Sequence, residues 1–249
     1  MVRVFAHRGS SRQAVENTLE AFRLARRQAA DGVELDTRLS ADGVLLVHHD
    51  ATWSSRLPDA GGHLGRAVSE TPAPDRPPSV PTLAEVLDAC AGMIVNVELK
   101  TDGLAARGSD ELAGVREAAA RDRLARALVE LLAERGGRDE VLVSSFDAAA
   151  LDLVAARNPA CRLGWLTEDR LEPTVLAQLA GRGHVAVHPH WMVTDAAVVA
   201  DAHRFGLAVH AWTVDDPATL AHLAALGVDA VITNVPEVAL RSLGRSRPG

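Results

Sequence analysis

A TIM-type (β/α)₈ barrel, in the α/β class, is the fold this sequence predicts, and three observations predict it. Short β-branched runs alternate with longer Ala/Leu/Arg/Glu segments of helical period. About eight such pairs fit into 249 residues, the usual size of that barrel. No GxGxxG or GxxxxGKS/T loop follows an early strand, which tells against a doubly wound open sheet.

Taken in order, the first strand is read near 2–6 and runs into Ala6-His7-Arg8-Gly9, with a helix near 17–30. The second strand, 33–38, is Val-Glu-Leu-Asp-Thr-Arg. The turn Ala41-Asp42-Gly43 then leads to an extra strand at 44–49, so a short insertion follows the second strand. Residues 51–81 hold Pro58, a Gly61-Gly62 pair and prolines at 72, 74, 77, 78 and 81. A loop of that length at the site-bearing end of a barrel is expected to act as a partial lid; a plain surface excursion is the alternative. The rhythm then resumes with helix 82–91, strand 94–99, helix 111–136, strand 141–144 and helix 147–157. Strands 161–166, 185–188, 207–212 and 229–233 complete the set, with helices 173–181, 194–205, 216–226 and 235–242 after them. One catalytic domain over 1–249 is expected.

Bulk properties narrow the function. A hydrophobic content of 47% supports one continuous core. The net charge of −7 excludes a basic duplex-binding face, so no nucleic-acid partner is expected. A phosphate handled by this chain must be attracted locally, by a metal ion or a few cationic side chains. Cys90 and Cys161 have no CxxC spacing and read as reduced, buried thiols. No run is long enough to span a bilayer, and no signal peptide opens the chain, so no stable membrane insertion and a cytoplasmic location are expected.

Polar residues gather where a barrel places its chemistry, at the C-terminal strand ends. His7 and Arg8 end the first strand. Glu34 and Asp36 on the second, and Glu98 and Lys100 on the third, stand at i and i+2 and so share a face of their strand. Buried salt bridges from Arg8 and Lys100 could answer any one acid. For three carboxylates on adjacent strands, a hard divalent cation with oxygen ligands is the simpler account. In His48-His49-Asp50 only one imidazole can face the site, because neighbours on a strand point opposite ways. His63, His184, His203 and His222 read as structural. His188-Pro189-His190 resembles an amidohydrolase HxH pair but follows the sixth strand rather than the first. Trp212, at the end of the seventh strand, is core or a pocket wall, and is carried as a candidate substrate-binding residue. Of 26 basic residues, all but Lys100 are arginine, which marks a position where a compact point charge is wanted.

Together these residues resemble the glycerophosphodiester phosphodiesterases. The resemblance is carried by His7-Arg8-Gly9, Glu16-Asn17-Thr18-Leu19-Glu20-Ala21-Phe22, Glu34-Leu35-Asp36, Asp42-Gly43 and His49-Asp50. It continues through 81–87, Glu98-Leu99-Lys100, Trp212-Thr213-Val214 and 227–236, in order over nearly the whole chain. It implies a TIM barrel with an insertion after the His-Asp motif. It also implies Mg²⁺ or Ca²⁺, with Mn²⁺ a further candidate, on Glu34, Asp36 and Glu98. His7 and His49 would be the acid/base pair, and Arg8 and Lys100 would hold the phosphate of a small glycerophosphodiester. The implied path is a cyclic phosphate formed by the substrate's own hydroxyl and then opened by water. The chain departs from the family pattern with Val15 for Pro, Asn234 for Asp, and 53–56 as Trp-Ser-Ser-Arg for Leu-Asp-Arg-Thr. A phospholipase C- or D-like barrel acting on intact lipids, and a barrel that binds phosphodiesters without cutting them, are the rival functions. Oligomeric state is open.

Overall fold

Parallel strands covered on both faces read as nearly continuous apolar runs. The computed structural model, which describes residues 1–103 and 113–245, places such runs in one closed sheet. Its parallel strands are β1 (Arg3–His7), β2 (Gly32–Leu39), β4 (Ile94–Leu99), β5 (Glu140–Ser145), β6 (Arg162–Thr167), β7 (His184–Pro189), β8 (Ala208–Ala211) and β9 (Ala230–Thr233). They are neighbours in the order β1-β9-β8-β7-β6-β5-β4-β2, and β1 also pairs with β2, which closes the barrel. The extra strand β3 (Leu45–Val47) runs antiparallel to the end of β2, with Leu39 opposite Leu45.

Among the described residues, eight helices follow the eight parallel strands: α1 (Leu19–Arg27), α2 (Leu83–Ala89), α3 (Ala113–Glu134), α4 (Ala148–Arg157), α5 (Pro173–Gly181), α6 (Ala196–Arg204), α7 (Pro217–Leu226) and α8 (Pro236–Ser242). Their starts are set by capping chemistry. Thr18, Asp147, Asp195 and Asp216 each accept from a first-turn amide, and Thr82 with Glu85 forms a reciprocal capping box. Prolines open α5, α7 and α8, where a missing N–H costs nothing. The first helix is shorter than the expected 17–30. Asn17 (φ 58) and Ala29 (φ 63) are left-handed and bound it on either side. The expected start of α3 at 111 lies outside the described residues.

Apolar side chains between barrel and helices form two clusters. One is centred on β2, β4 and α1–α4, the other on β7–β9 and α5–α8. The barrel interior is more polar: Asn96, Ser144, His188 and His210 are all buried. His188 crosses above Gly164, where a Cβ would come within 2.6 Å of its Nε2. Cys90 is buried as expected, but Cys161 is only partly so, since it precedes β6 on the rim. Both are free thiols.

The 51–81 segment is ordered around a small core of its own. Trp53, Leu57, Ala60, Val68, Ala73 and Val80 pack on Leu46 of β3, and Trp53 is 1% exposed. The indole Nε1 donates to Thr71 Oγ1 at 3.0 Å. This tryptophan therefore offers no aromatic surface to a membrane. Among the described residues no helix is long and apolar enough to cross one.

Candidate active site

Inward-facing positions at the ends of β1, β2 and β4 converge. A cavity of about 230 Å³ at the C-terminal mouth is lined by His7, Arg8, Glu34, His49, Glu98 and Lys100 on its charged side. Phe146, Leu166, Glu168, Trp212 and Ile232 complete its wall. Of the expected site residues only Asp36 is absent from the lining, because it sits fully buried just beneath. Ligand oxygens of Glu34, Asp36 and Glu98 lie within 4.8 Å of one another.

Two cations answer these three acids. Arg8 Nε is 3.0 Å from Asp36 Oδ2, and Lys100 Nζ is 3.0 Å from Glu98 Oε1 and 3.8 Å from Asp36 Oδ1. The salt-bridge account and the metal account are therefore both partly met: with every group ionised the three acids would exceed the two cations by one charge, and Arg8 is shared with Glu16 at 3.2 Å. Asp36 Oδ1 accepts no hydrogen bond among the described residues. Burial and the neighbouring acids push Glu34 well above the usual carboxylate range. Burial, then Asp36, pushes Glu98 up as well, against the pull of Lys100. Burial also acts on Asp36, but Arg8 and Lys100 outweigh it and hold that carboxyl low. A cluster with surplus negative charge, an orphaned buried oxygen and an all-oxygen donor set fits a hard divalent cation.

The backbone that delivers these groups is bent into unusual conformations. Arg8 (φ 56) and Gly9 (φ 81) both lie in the left-handed region. A Cβ at Gly9 would come within 2.6 Å of the Ala21 carbonyl carbon, so only glycine lets α1 approach this closely. Asn17, also left-handed, donates from Nδ2 to Asp36 Oδ2 at 2.8 Å. Such strain persists where surrounding contacts over-determine it, as they do in functional sites.

The two adjacent histidines divide as expected. His49 lines the cavity, and its Nδ1 is 2.8 Å from Asp50 Oδ1. His48 turns away, buried against Trp53 with ring centroids 5.2 Å apart. His188 is enclosed within the barrel beside His210, and His190 caps a 3-10 turn, so the HxH pair does not meet the acids.

Several residues at the site were not singled out by sequence. His7 Nδ1 lies 2.7 Å from Asn234 Oδ1, while Asn234 Nδ2 donates to Asp215 Oδ2 at 2.8 Å. The carboxylate can only accept, so it orients the amide, and Oδ1 must receive a proton carried on His7 Nδ1. The other nitrogen, Nε2, is thereby left as an acceptor, 3.8 Å from Glu34 Oε2. Burial, then Arg8, lowers the pKa of this ring. Arg38, 3% exposed, donates from Nε to the His49 carbonyl at 2.8 Å and from Nη2 to the Asp102 carboxylate at 2.9 Å. It ties the loop bearing His49 to the end of β4. Phe146 and Glu168 follow β5 and β6 and enter the wall without any local motif.

A closed (β/α)₈ barrel with acids, cations and histidines around one mouth defines a barrel hydrolase of the kind that acts on an anionic ester. The chain belongs to the glycerophosphoryl diester phosphodiesterase family, whose model matches residues 7–238. It is 30% identical over 250 residues to a glycerophosphodiester phosphodiesterase of Caldanaerobacter subterraneus subsp. tengcongensis, covering 94% of each chain. It is 28% identical over 257 residues to one of Bacillus altitudinis, covering 97% of this chain and 98% of the other. An Oleispira antarctica phosphodiesterase, solved in complex with the product sn-glycerol-3-phosphate, superposes with a TM-score of 0.82 at 27% identity, covering 97% and 96%.

Proposed function

We propose that this protein hydrolyses glycerophosphodiesters to sn-glycerol 3-phosphate and an alcohol, in the cytoplasm, with 1–249 as one catalytic domain. The observation that carries the proposal is the convergence of two acids, two cations and two histidines on one small cavity, with a third acid, Asp36, buried directly beneath. Arg8 and Lys100 hold the phosphate, and Glu34, Asp36 and Glu98 hold a divalent cation, Mg²⁺ or Ca²⁺. When bound, that ion would offset charge on the phosphate oxygens and acidify a nearby hydroxyl.

The protein's own groups then carry the protons. His7, with Nδ1 engaged by Asn234, presents Nε2 as the base. It takes the proton of the glycerol 2-hydroxyl as that oxygen bonds to phosphorus and the bond to the departing alcohol breaks. His49, backed by Asp50, gives a proton to that alcohol's oxygen. A cyclic phosphate results. Water opens it with the roles exchanged: His49 takes the water proton and His7 returns its own to the 2-oxygen. On this reading the 51–81 segment is a partial lid flanking the mouth, braced by Arg56, whose Nη1 is 3.8 Å from Glu16 Oε1.

The test is to incubate the protein with a panel of glycerophosphodiesters and Mg²⁺, Mn²⁺ or Ca²⁺, and to assay glycerol phosphate. Turnover abolished by EDTA and restored by one cation is expected. No glycerol phosphate from any diester would sink the activity, and full turnover in EDTA would sink the metal. A second reading, action on intact phospholipid, is favoured by exposed Phe146, Trp191 and Met192 beside the mouth. Flotation with phosphatidylcholine vesicles and release of their headgroup would select it.

A further inference from the structure

Strand order divides the cavity into two unlike halves. The cations, the histidines and the acids Glu34 and Glu98 come from β1, β2, β4 and the β3 end, which are contiguous around the barrel. The opposite arc, from β5 through β9, contributes Phe146, Leu166, Glu168, Trp212 and Ile232. A phosphodiester seated on Arg8 and Lys100 must send one of its two ester arms across this second arc.

That arc is aromatic and carries an unanswered negative charge. Phe146 and Trp212 meet edge to face, with ring centroids 5.5 Å apart and planes at 84°, and His190 packs on Trp212 in the same way at 5.2 Å and 80°. Trp212 is held in place, since its Nε1 donates to the His188 carbonyl at 2.6 Å. Glu168 lines the same cavity, is exposed, and has no ion-pair or hydrogen-bond partner among the described residues. A lone carboxylate here repels a substrate that is already anionic at phosphorus, unless the arm that reaches it is positive. Two perpendicular rings and a carboxylate are the elements that recognise an alkylammonium group.

We infer that Phe146, Trp212 and Glu168 form a leaving-alcohol subsite that selects alcohols bearing an ammonium cation, so that zwitterionic diesters are preferred over neutral-armed ones. The inference rests on the phosphodiesterase reading above.

The test compares kcat/KM for glycerophosphocholine and for its carbon isostere, the 3,3-dimethylbutyl ester of glycerophosphate. The two arms match in shape and differ only in charge. A preference for the choline ester on the order of tenfold is expected in the wild type. Glu168→Gln and Phe146→Leu should each move that ratio toward one. Measurable turnover with a wild-type ratio near one, or a ratio unchanged in both variants, overturns the subsite while leaving the activity intact. Should neither ester be cut, the activity itself falls and the subsite is read by binding alone. Choline quenching of tryptophan fluorescence in the wild type, weakened in Glu168→Gln, then supports it, and equal quenching in the two overturns it.

Discussion

His7 and His49 are separated in sequence yet face one cavity, and each has its Nδ1 held by a different partner, Asn234 or Asp50. Loss of one acid or base typically costs about 10²–10⁴-fold in rate. His7→Ala and His49→Ala should each lower kcat by that order, and the double variant should fall little further, because the pair works as a unit. His48→Ala, which removes a ring packed on Trp53 outside the cavity, should cost far less in kcat; a reversed order in steady-state assays would overturn the assignment. Lys100→Arg should be nearly inactive while keeping its melting temperature. The ammonium sits 3.0 Å from Glu98 and is largely buried, so a planar fork would displace a ligand, and shifts of about 1 Å can cost on the order of a hundredfold. These residues were legible because alternation on a strand assigns faces at i and i+2. In the sequence Asn234 stands out only as a departure from a family pattern. Its partnership with His7 spans 227 residues and arises only on barrel closure, as do the places of Asp215, Phe146 and Glu168.

The elements themselves were legible almost throughout, since each carried its own period. Boundaries moved where a single backbone conformation intervened, as at Asn17 and Ala29 around α1. The 51–81 segment was the exception. Its prolines and glycines hid a core that needs Leu46 from a neighbouring strand, and no repeat period announces such a cluster. Removing a buried tryptophan typically costs about 3–5 kcal/mol. Trp53→Ala should therefore open this segment before the barrel, giving protease cuts within 51–81 at temperatures where far-UV circular dichroism stays native. Simultaneous loss of both signals would show that insertion and barrel unfold as one unit.

At the base of the barrel an ion pair ties the end of α8 to the start of β2. Arg245, after α8, donates from Nη1 and Nη2 to both oxygens of Asp31 at 2.6 and 2.7 Å, and from Nη1 to the Val2 carbonyl at 3.1 Å. Asp31 in turn accepts from the Val4 amide at 2.7 Å. Burial pushes the Asp31 carboxyl up, but these bonds outweigh it and hold the carboxyl below its ordinary value. A depressed folded-state pKa gives stability that is present above the unfolded carboxylate value and lost as pH falls through the folded one. Arg245→Ala should cost about 1.5–3 kcal/mol in urea melts at pH 7, and the gap from wild type should shrink below about pH 4. A gap constant with pH would show that packing, not charge, is what Arg245 contributes. The same contact brings the two ends of the described chain together, on the face of the barrel opposite the cavity. Since β1 already pairs with β9 there, the order in which the eight units are strung is not dictated by the fold. A short peptide joining those ends, with a new opening cut at the exposed Gly61-Gly62 tip, would leave every strand neighbour and every cavity residue where it is. In architecture the molecule is a ring, and where that ring is opened is incidental to it.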